Sequence, residues 1–300
     1  MQTNIACAAL IVGFVIGLTG MGGGALMTPV LVILFHVNPL AAISNDVIAS
    51  VVLKPIGGNV HARRGTVNWT LVRWLAIGSV PAAFVGAYVI SRVTGAGAED
   101  TVKHILGWVL LVAAGGMLVK TIVQTRRRAL PTGERMDAAL VRPIPTVIIG
   151  LIGGFAVGLT SVGSGSLMIV MLMFLYPKLS AREMVGTDLV QAIPLVASAA
   201  IGHLIFGELQ FGLTGSVLAG AIPGVYVGAR ISASASDRFI RPALIAVLTI
   251  SSLKLIGASN AVLLGTLIVS VVLIAVYFFL DARRRRLPAA DPRPAVSPQP

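Results

Sequence analysis

Apolar residues gather into long runs at about 5–35, 40–61, 69–91, 103–123, 144–176, 183–206, 212–232, 239–257 and 260–280, separated by short polar stretches. Most of these runs are near the ~20 residues that span a bilayer. Spans of this kind must be helical, because lipid satisfies no backbone polar group. Two runs, 5–35 and 144–176, are longer, at roughly 31 residues, and glycines interrupt both. An unbroken helix of that length would extend ~46 Å, too long for one upright span and too short for two. Each is therefore either a broken helix that crosses once or a re-entrant hairpin whose arms return to one side.

The two interrupted runs carry related sequences. Gly17-Leu18-Thr19-Gly20-Met21-Gly22-Gly23-Gly24-Ala25-Leu26-Met27 recurs as Gly158-Leu159-Thr160-Ser161-Val162-Gly163-Ser164-Gly165-Ser166-Leu167-Met168. At nearly the same offset Asp46 matches Asp188, His61 matches His203, Gly65 matches Gly207, Pro81 matches Pro223 and Gly86 matches Gly228. Lys120 falls opposite Lys254 after a shorter loop. Coincidences in register imply an internal duplication, a usual architecture of transporters.

Composition agrees: 56% of the 300 residues are hydrophobic and 11% charged, with mean hydropathy +0.92, outside the balance of a soluble domain. The net charge of +12 does not point to nucleic acid. Its basic residues sit between apolar runs, as Arg63-Arg64, Arg126-Arg127-Arg128 and Arg283 to Arg286, where they mark cytoplasmic loops. With the Arg283 end inside, a membrane-crossing segment 144–176 would put Arg126, Arg127, Arg128, Arg135 and Arg142 outside. A hairpin keeps them inside. The N-terminus lacks Lys or Arg before its apolar run and has no clear cleavage site, so a removable signal peptide is not expected. The one cysteine, Cys7, is expected as a buried small hydrophobe.

The expected fold is all-α: a polytopic helical membrane protein of two inverted repeats, each a glycine-broken re-entrant helical hairpin plus three spans, with one extra C-terminal transmembrane helix. The expected divisions are a first repeat at 1–125, a basic cytoplasmic loop at 126–143, a second repeat at 144–257, an extra transmembrane helix at 258–281 and a disordered cytoplasmic tail at 282–300.

Inverted hairpins would bring Gly22, Gly23 and Gly24 towards Gly163, Ser164 and Gly165 from opposite sides, each followed by a half-helix. Helix N-termini carry about half a positive charge and free N–H donors. The expected cradle for an anion adds hydroxyls from Thr19, Thr160, Ser161, Ser164 and Ser166; close packing of small residues is the structural alternative. Asn45 and Thr187 flank the two aspartates as further polar candidates. Lys54, whose counterpart is the apolar Val196, places one unbalanced ammonium near mid-span and favours an anionic substrate; the alternative is a structural pairing with Asp46. Lys120 and Lys254 lie near helix ends, where they can snorkel. Asp46 with His203, and His61 with Asp188, are expected to form two polar layers, either gates coupled to protons or static interface bonds.

Several of these residues stand in an order that resembles the TauE/SafE family of sulfite and sulfonate exporters. The resemblance rests on Gly17 to Met27 and its repeat, and on Gly186-Thr187-Asp188-Leu189. It also rests on Ser44-Asn45-Asp46 leading through Lys54-Pro55-Ile56-Gly57 to His61 and Gly65, then Val67-Asn68-Trp69. It covers about residues 10–256. It implies a bacterial-type inner-membrane carrier, multi-pass, with basic loops and C-terminus cytoplasmic, moving sulfite, sulfonates or related small anions outward with proton coupling. The partners implied are a small anionic substrate and membrane lipid, with no nucleic acid; a homodimer is compatible with this reading. No cofactor or metal is expected, and no catalytic residue. An anion channel shares the cradle chemistry, and an intramembrane enzyme would need a nucleophile–base pair or metal ligands that no motif here supplies.

Overall fold

The computed structural model describes residues 2–19, 23–127, 141–177, 179–232 and 237–286. These form α1 (Thr3–Thr19), α2 (Gly24–Leu34), α3 (Pro39–Arg63), α4 (Trp69–Ser91), α5 (Ala98–Arg127), α6 (Pro143–Thr160), α7 (Leu167–Leu175), α8 (Ala181–Phe206), α9 (Phe211–Ser232), α10 (Asp237–Leu255) and α11 (Asn260–Arg286). No named strand occurs among the described residues. Among the described residues six helices are long and apolar enough to cross a membrane: α3, α4, α5, α6, α8 and α9. Large apolar side chains such as Ile11, Ile77, Trp108, Ile148, Phe174 and Leu204 cover the outside, a surface that lipid accepts and water would not.

Local chemistry sets the helix ends. Asn68 caps α4 by accepting from Leu71 N–H, and Ser180 caps α8 by accepting from Glu183 N–H, each satisfying an otherwise orphaned donor. Pro143 opens α6, where its missing N–H costs nothing. The second interrupted run stops being helical at Ser161, which is left-handed, and Gly163 and Gly165 have φ of 141° and 86°. Those backbone angles are open to glycine and costly for a residue with a Cβ. Both long runs thus break at their glycines, as α1/α2 and α6/α7.

Small residues let backbones touch across the two halves. Gly220, Gly224 and Gly228 of α9 lie against Ala6, Leu10 and Phe14 of α1; Gly150, Gly154 and Gly158 of α6 lie against Leu75, Ser79 and Ala83 of α4. Residue numbers rise together in both pairs, so each pair runs parallel. Along α3 and α8 the order reverses: Ser44 meets His203, Gly58 meets Ile193, and Thr66 meets Gly186. α4 and α8 run parallel, through Ser79–Gln191 and Val80–Ser198.

The ends of these helices can therefore be sorted. At one end α8 finishes and α9 begins, α3 begins with Asn45 bonded to Gln210 and Thr214, and α1 begins with Gln2 bonded to Ser216. At the other end α3 finishes and α4 and α8 begin, joined by the Asn68 N–H donating to Thr187 Oγ1 at 3.0 Å; α6, parallel to α4, begins there too. The chain leaves and returns on the same side at each glycine break. α3 starts from the end at which α1 started. Tyr176, just past α7, places its hydroxyl 2.9 Å from the Arg142 N–H and 2.6 Å from Thr146 Oγ1, at the start of α6.

Residues up to Ala258 form one compact unit. The remainder is a second unit, whose described part is the apolar helix α11. Gly20, Met21 and Gly22, most of the basic loop with Arg128 and Arg135, and the tail from 287 lie outside the described residues. Cys7 corrects one expectation. It is exposed on α1, because the buried face of that helix is taken by Ile5, Ala9, Val12, Gly13 and Ile16.

Candidate functional site

The two glycine breaks touch. Gly24, the first residue of α2, sits so close to Ser161 that a Cβ there would lie 1.8 Å from the Ser161 carbonyl oxygen. α3 threads past this contact. Asp46 Oδ2 accepts from Thr28 Oγ1 on α2 at 2.7 Å, and the Ser161 hydroxyl also reaches the Asp46 carboxylate. One carboxylate therefore ties the tips of both breaks to α3. A Cβ on Gly23 would stand 3.5 Å from Asp46 Oδ1 and 3.8 Å from Ser50 Oγ, which places Gly23 in the same cluster.

Two turns further along α3, Lys54 is 6% exposed and its ammonium donates to Ser164 Oγ in the second break. Direct ion pairs among the described residues are confined to Lys103 with Glu99 and Asp100. Lys54 is thus held by a hydroxyl, with the carboxylates of Asp188 and Asp46 near enough to act on it through space. Its repeat counterpart Val196 is buried among apolar side chains.

The second aspartate has different neighbours. Asp188 accepts from the Gly165 backbone N–H and the Gln191 side chain, while Oδ1 has no hydrogen-bond partner although it is buried. Gln191 continues inward, accepting from Ser79 Oγ at 3.1 Å and donating to Met168 Sδ at 2.7 Å. Lys120 departs from the snorkelling expected of it: its ammonium turns inward and donates to the Gly165 carbonyl at 3.3 Å. Lys254 is exposed at the end of α10.

Gly23, Gly24, Asp46, Lys54, Ser161, Ser164, Gly165 and Asp188 thus come together, with Gly163 in the same turn. Other candidates turn elsewhere. Thr19 and Thr160 donate to carbonyls of their own helices, Val15 and Ala156, at 2.9 and 2.8 Å. Asn45 Oδ1 accepts from Gln210 N–H and Thr214 Oγ1, and Thr187 Oγ1 accepts from Asn68 N–H. These two are equivalent acts in the two halves, each satisfying the start of a helix. His203 does not reach Asp46: its Nδ1 lies 3.0 Å from Ser44 Oγ and its Nε2 2.9 Å from the Gly158 carbonyl. A carbonyl only accepts, so Nε2 carries the proton. The side chain of His61 and all of Gly22 lie outside the described residues. Thr28, Gln191 and Tyr176 were not anticipated. Thr28 and Gln191 are polar positions inside apolar helices, a signal that was available.

The cluster is a meeting of two broken helices, with the ammoniums of Lys54 and Lys120, two carboxylates and several hydroxyls in a protein interior. Groups of three or more potential metal-ligating side chains are absent among the described residues.

Comparison with known proteins points the same way. The family profile described as "Sulfite exporter TauE/SafE" matches residues 5–255. "Probable membrane transporter protein YjnA" of Bacillus subtilis is 36% identical over 258 residues, covering 85% of this chain and all of that protein. From the same organism, "Probable membrane transporter protein YdhB" is 25% identical, covering 76% of this chain and 89% of its own length. "Probable membrane transporter protein YtnM" is 28% identical, covering 82% and 78%. No solved structure matches the chain. The family match ends at 255, three residues before the boundary that sets α11 apart. On its glycine-broken helices, its aspartates and this match across nearly its whole length, the chain is a multi-pass membrane protein and belongs to the sulfite exporter TauE/SafE family.

Proposed function

We propose that this protein is a secondary active carrier for small oxyanions, of which sulfite, sulfonates and related sulfur oxyanions fit the site best. The observation that carries this reading is Lys54: a buried ammonium from one half that reaches the glycine break of the other. A cation in that position attracts an anion, and the starts of α2 and α7 add backbone N–H groups other than those of Leu26, Met27, Met168 and Val170, which donate to carbonyls of Gly23, Gly163 and Ser166. The family description supplies the sulfur chemistry and the outward direction. Binding and translocation, rather than catalysis, are the work of this site.

Two hairpins entering from opposite ends give the carrier its mechanism. Copies α1 and α6, α3 and α8, and α4 and α9 run in opposite senses, which supports inverted repeats and alternating access around the midplane. Lys54 leaves Ser164 for the anion when the site opens, and the breaks reclose behind it. The end where α3 finishes and α4, α6 and α8 begin carries Arg63, Arg64, Arg142 and Arg182, which supports its lying on the cytoplasmic side of a bacterial inner membrane. Proton coupling belongs to the same reading, because ionisable groups inside spans usually serve transport.

A thermal-stabilisation screen of purified protein tests this, comparing sulfite, thiosulfate, sulfonates, sulfate and carboxylates with neutral and cationic solutes. Stabilisation by the sulfur oxyanions is expected. Stabilisation by cations or neutral solutes in their place would remove the substrate class.

A further inference from the structure

The two aspartates that match across the repeat are not equivalent in their surroundings. Asp46 is saturated. One of its oxygens takes the Thr28 hydroxyl at 2.7 Å, the carboxylate takes the Ser161 hydroxyl as well, and both donors come from the tips that must stay joined. Asp188 is 2% exposed and keeps one oxygen, Oδ1, with no donor. An ionised carboxylate buried with an unfilled acceptor is expensive. A buried polar atom in that condition marks a group whose partner comes and goes.

The charged groups that face Asp188 are Lys54 from α3 and Lys120 from α5; the other helices around it contribute none among the described residues. With the site empty, those ammoniums compensate the ionised Asp188 and Asp46. An incoming oxyanion changes that balance. It takes the Lys54 ammonium away from Asp188 and adds negative charge beside a carboxylate one of whose oxygens, Oδ1, has no donor. Like charges at close range in such a site do not both stay ionised. Asp46 keeps its hydroxyl donors from the two joined breaks. Asp188 is the group able to take a proton from solvent, and a protonated Oδ1 turns an unfilled acceptor into an O–H donor aimed at the anion.

We propose that Asp188 carries the proton of this carrier, so that anion and proton occupy the site together and leave together, while Asp46 is a latch that keeps its charge throughout. This rests on the anion-carrier reading above. For a monoanion the joint movement is electroneutral, so the membrane potential does not drive it, and outward movement proceeds when the outward substrate gradient exceeds any inward proton gradient.

The test is a proton count on binding. Purified full-length protein is titrated calorimetrically with methanesulfonate and thiosulfate, which take up no proton near neutral pH, in buffers of different ionisation enthalpy. For the wild type about one proton taken up per anion bound is expected. Asp188→Asn should still bind but take up none, whereas Asp188→Glu should keep the uptake. Asp46→Asn, if it elutes as a folded protein, should also keep it; Thr28→Val weakens the same latch and gives the same readout if Asp46→Asn does not fold. Uptake that persists in Asp188→Asn, or that disappears in the latch variants while binding remains, overturns this assignment alone. Anion binding with no proton uptake in the wild type overturns it together with the coupling. Failure of every sulfur oxyanion to bind overturns the functional reading beneath it.

Discussion

Replacing Lys54 with methionine removes one charge from the centre of the molecule and little else. The side chain stays unbranched and nearly as long, and the repeat counterpart on α8 is the apolar Val196, 1% exposed. If the ammonium holds the anion, the lost contact is a charge-assisted hydrogen bond, worth about 1.5–3 kcal/mol. At about 1.4 kcal/mol per factor of ten, Kd for a sulfur oxyanion should rise about 10- to 150-fold. The cost to stability should stay below the ~3–5 kcal/mol of a broken direct pair, because Lys54 is held by Ser164 and Asp46 keeps both its hydroxyl donors. Lys54→Arg retains the charge with a bulkier head and should recover part of the affinity. Isothermal titration of folded wild type and both variants with thiosulfate measures this directly. An unchanged Kd in Lys54→Met would refute the role given to the ammonium, and an equal loss in Lys54→Arg would show that shape rather than charge is being read.

Two further changes probe how the breaks are held. Gly24→Ala forces a methyl to within 1.8 Å of the Ser161 carbonyl and should cost about 1–3 kcal/mol or more through overpacking; Gly115→Ala, with nothing within 4 Å, should be neutral or slightly stabilising in the same thermal melt. Tyr176→Phe removes the hydroxyl that receives the Arg142 N–H and pairs with Thr146. It should cost about 0.5–1.5 kcal/mol for each bond lost and speed amide exchange at the start of α6, as read by hydrogen–deuterium exchange.

Much of the fold was legible in the sequence because lipid imposes one requirement on every span. The apolar runs lie within a few residues of α3, α4, α5, α8, α9 and α10, and the glycines mark where the two long runs break. The case for a duplication came from register alone. The pairing across the halves could not, since nothing local says that Gly220 meets Ala6 or Gly154 meets Ser79. Site residues divide along the same line. Lys54 and the two aspartates stood out because charge inside a span is costly. Asn45 and Thr187 looked like ligands for that reason too, yet they cap the starts of α9 and α4; the sequence holds no record of which buried donor faces them. Lys120 looked like a helix-end residue until the second break was brought against it. The difference between Asp46 and Asp188 lies mostly in neighbours brought from other segments, Thr28 and Ser161 for one and Gly165 for the other.

The opposed entry of the two hairpins underlies every step above, and side-specific labelling tests it. In a Cys7→Ser background, single cysteines replace Asn38, at the exit of the first hairpin, and Pro177, at the exit of the second; both positions are exposed. A membrane-impermeant maleimide applied to intact cells should label position 38 and reach position 177 only after permeabilisation. Labelling of both positions from the same side would contradict the account.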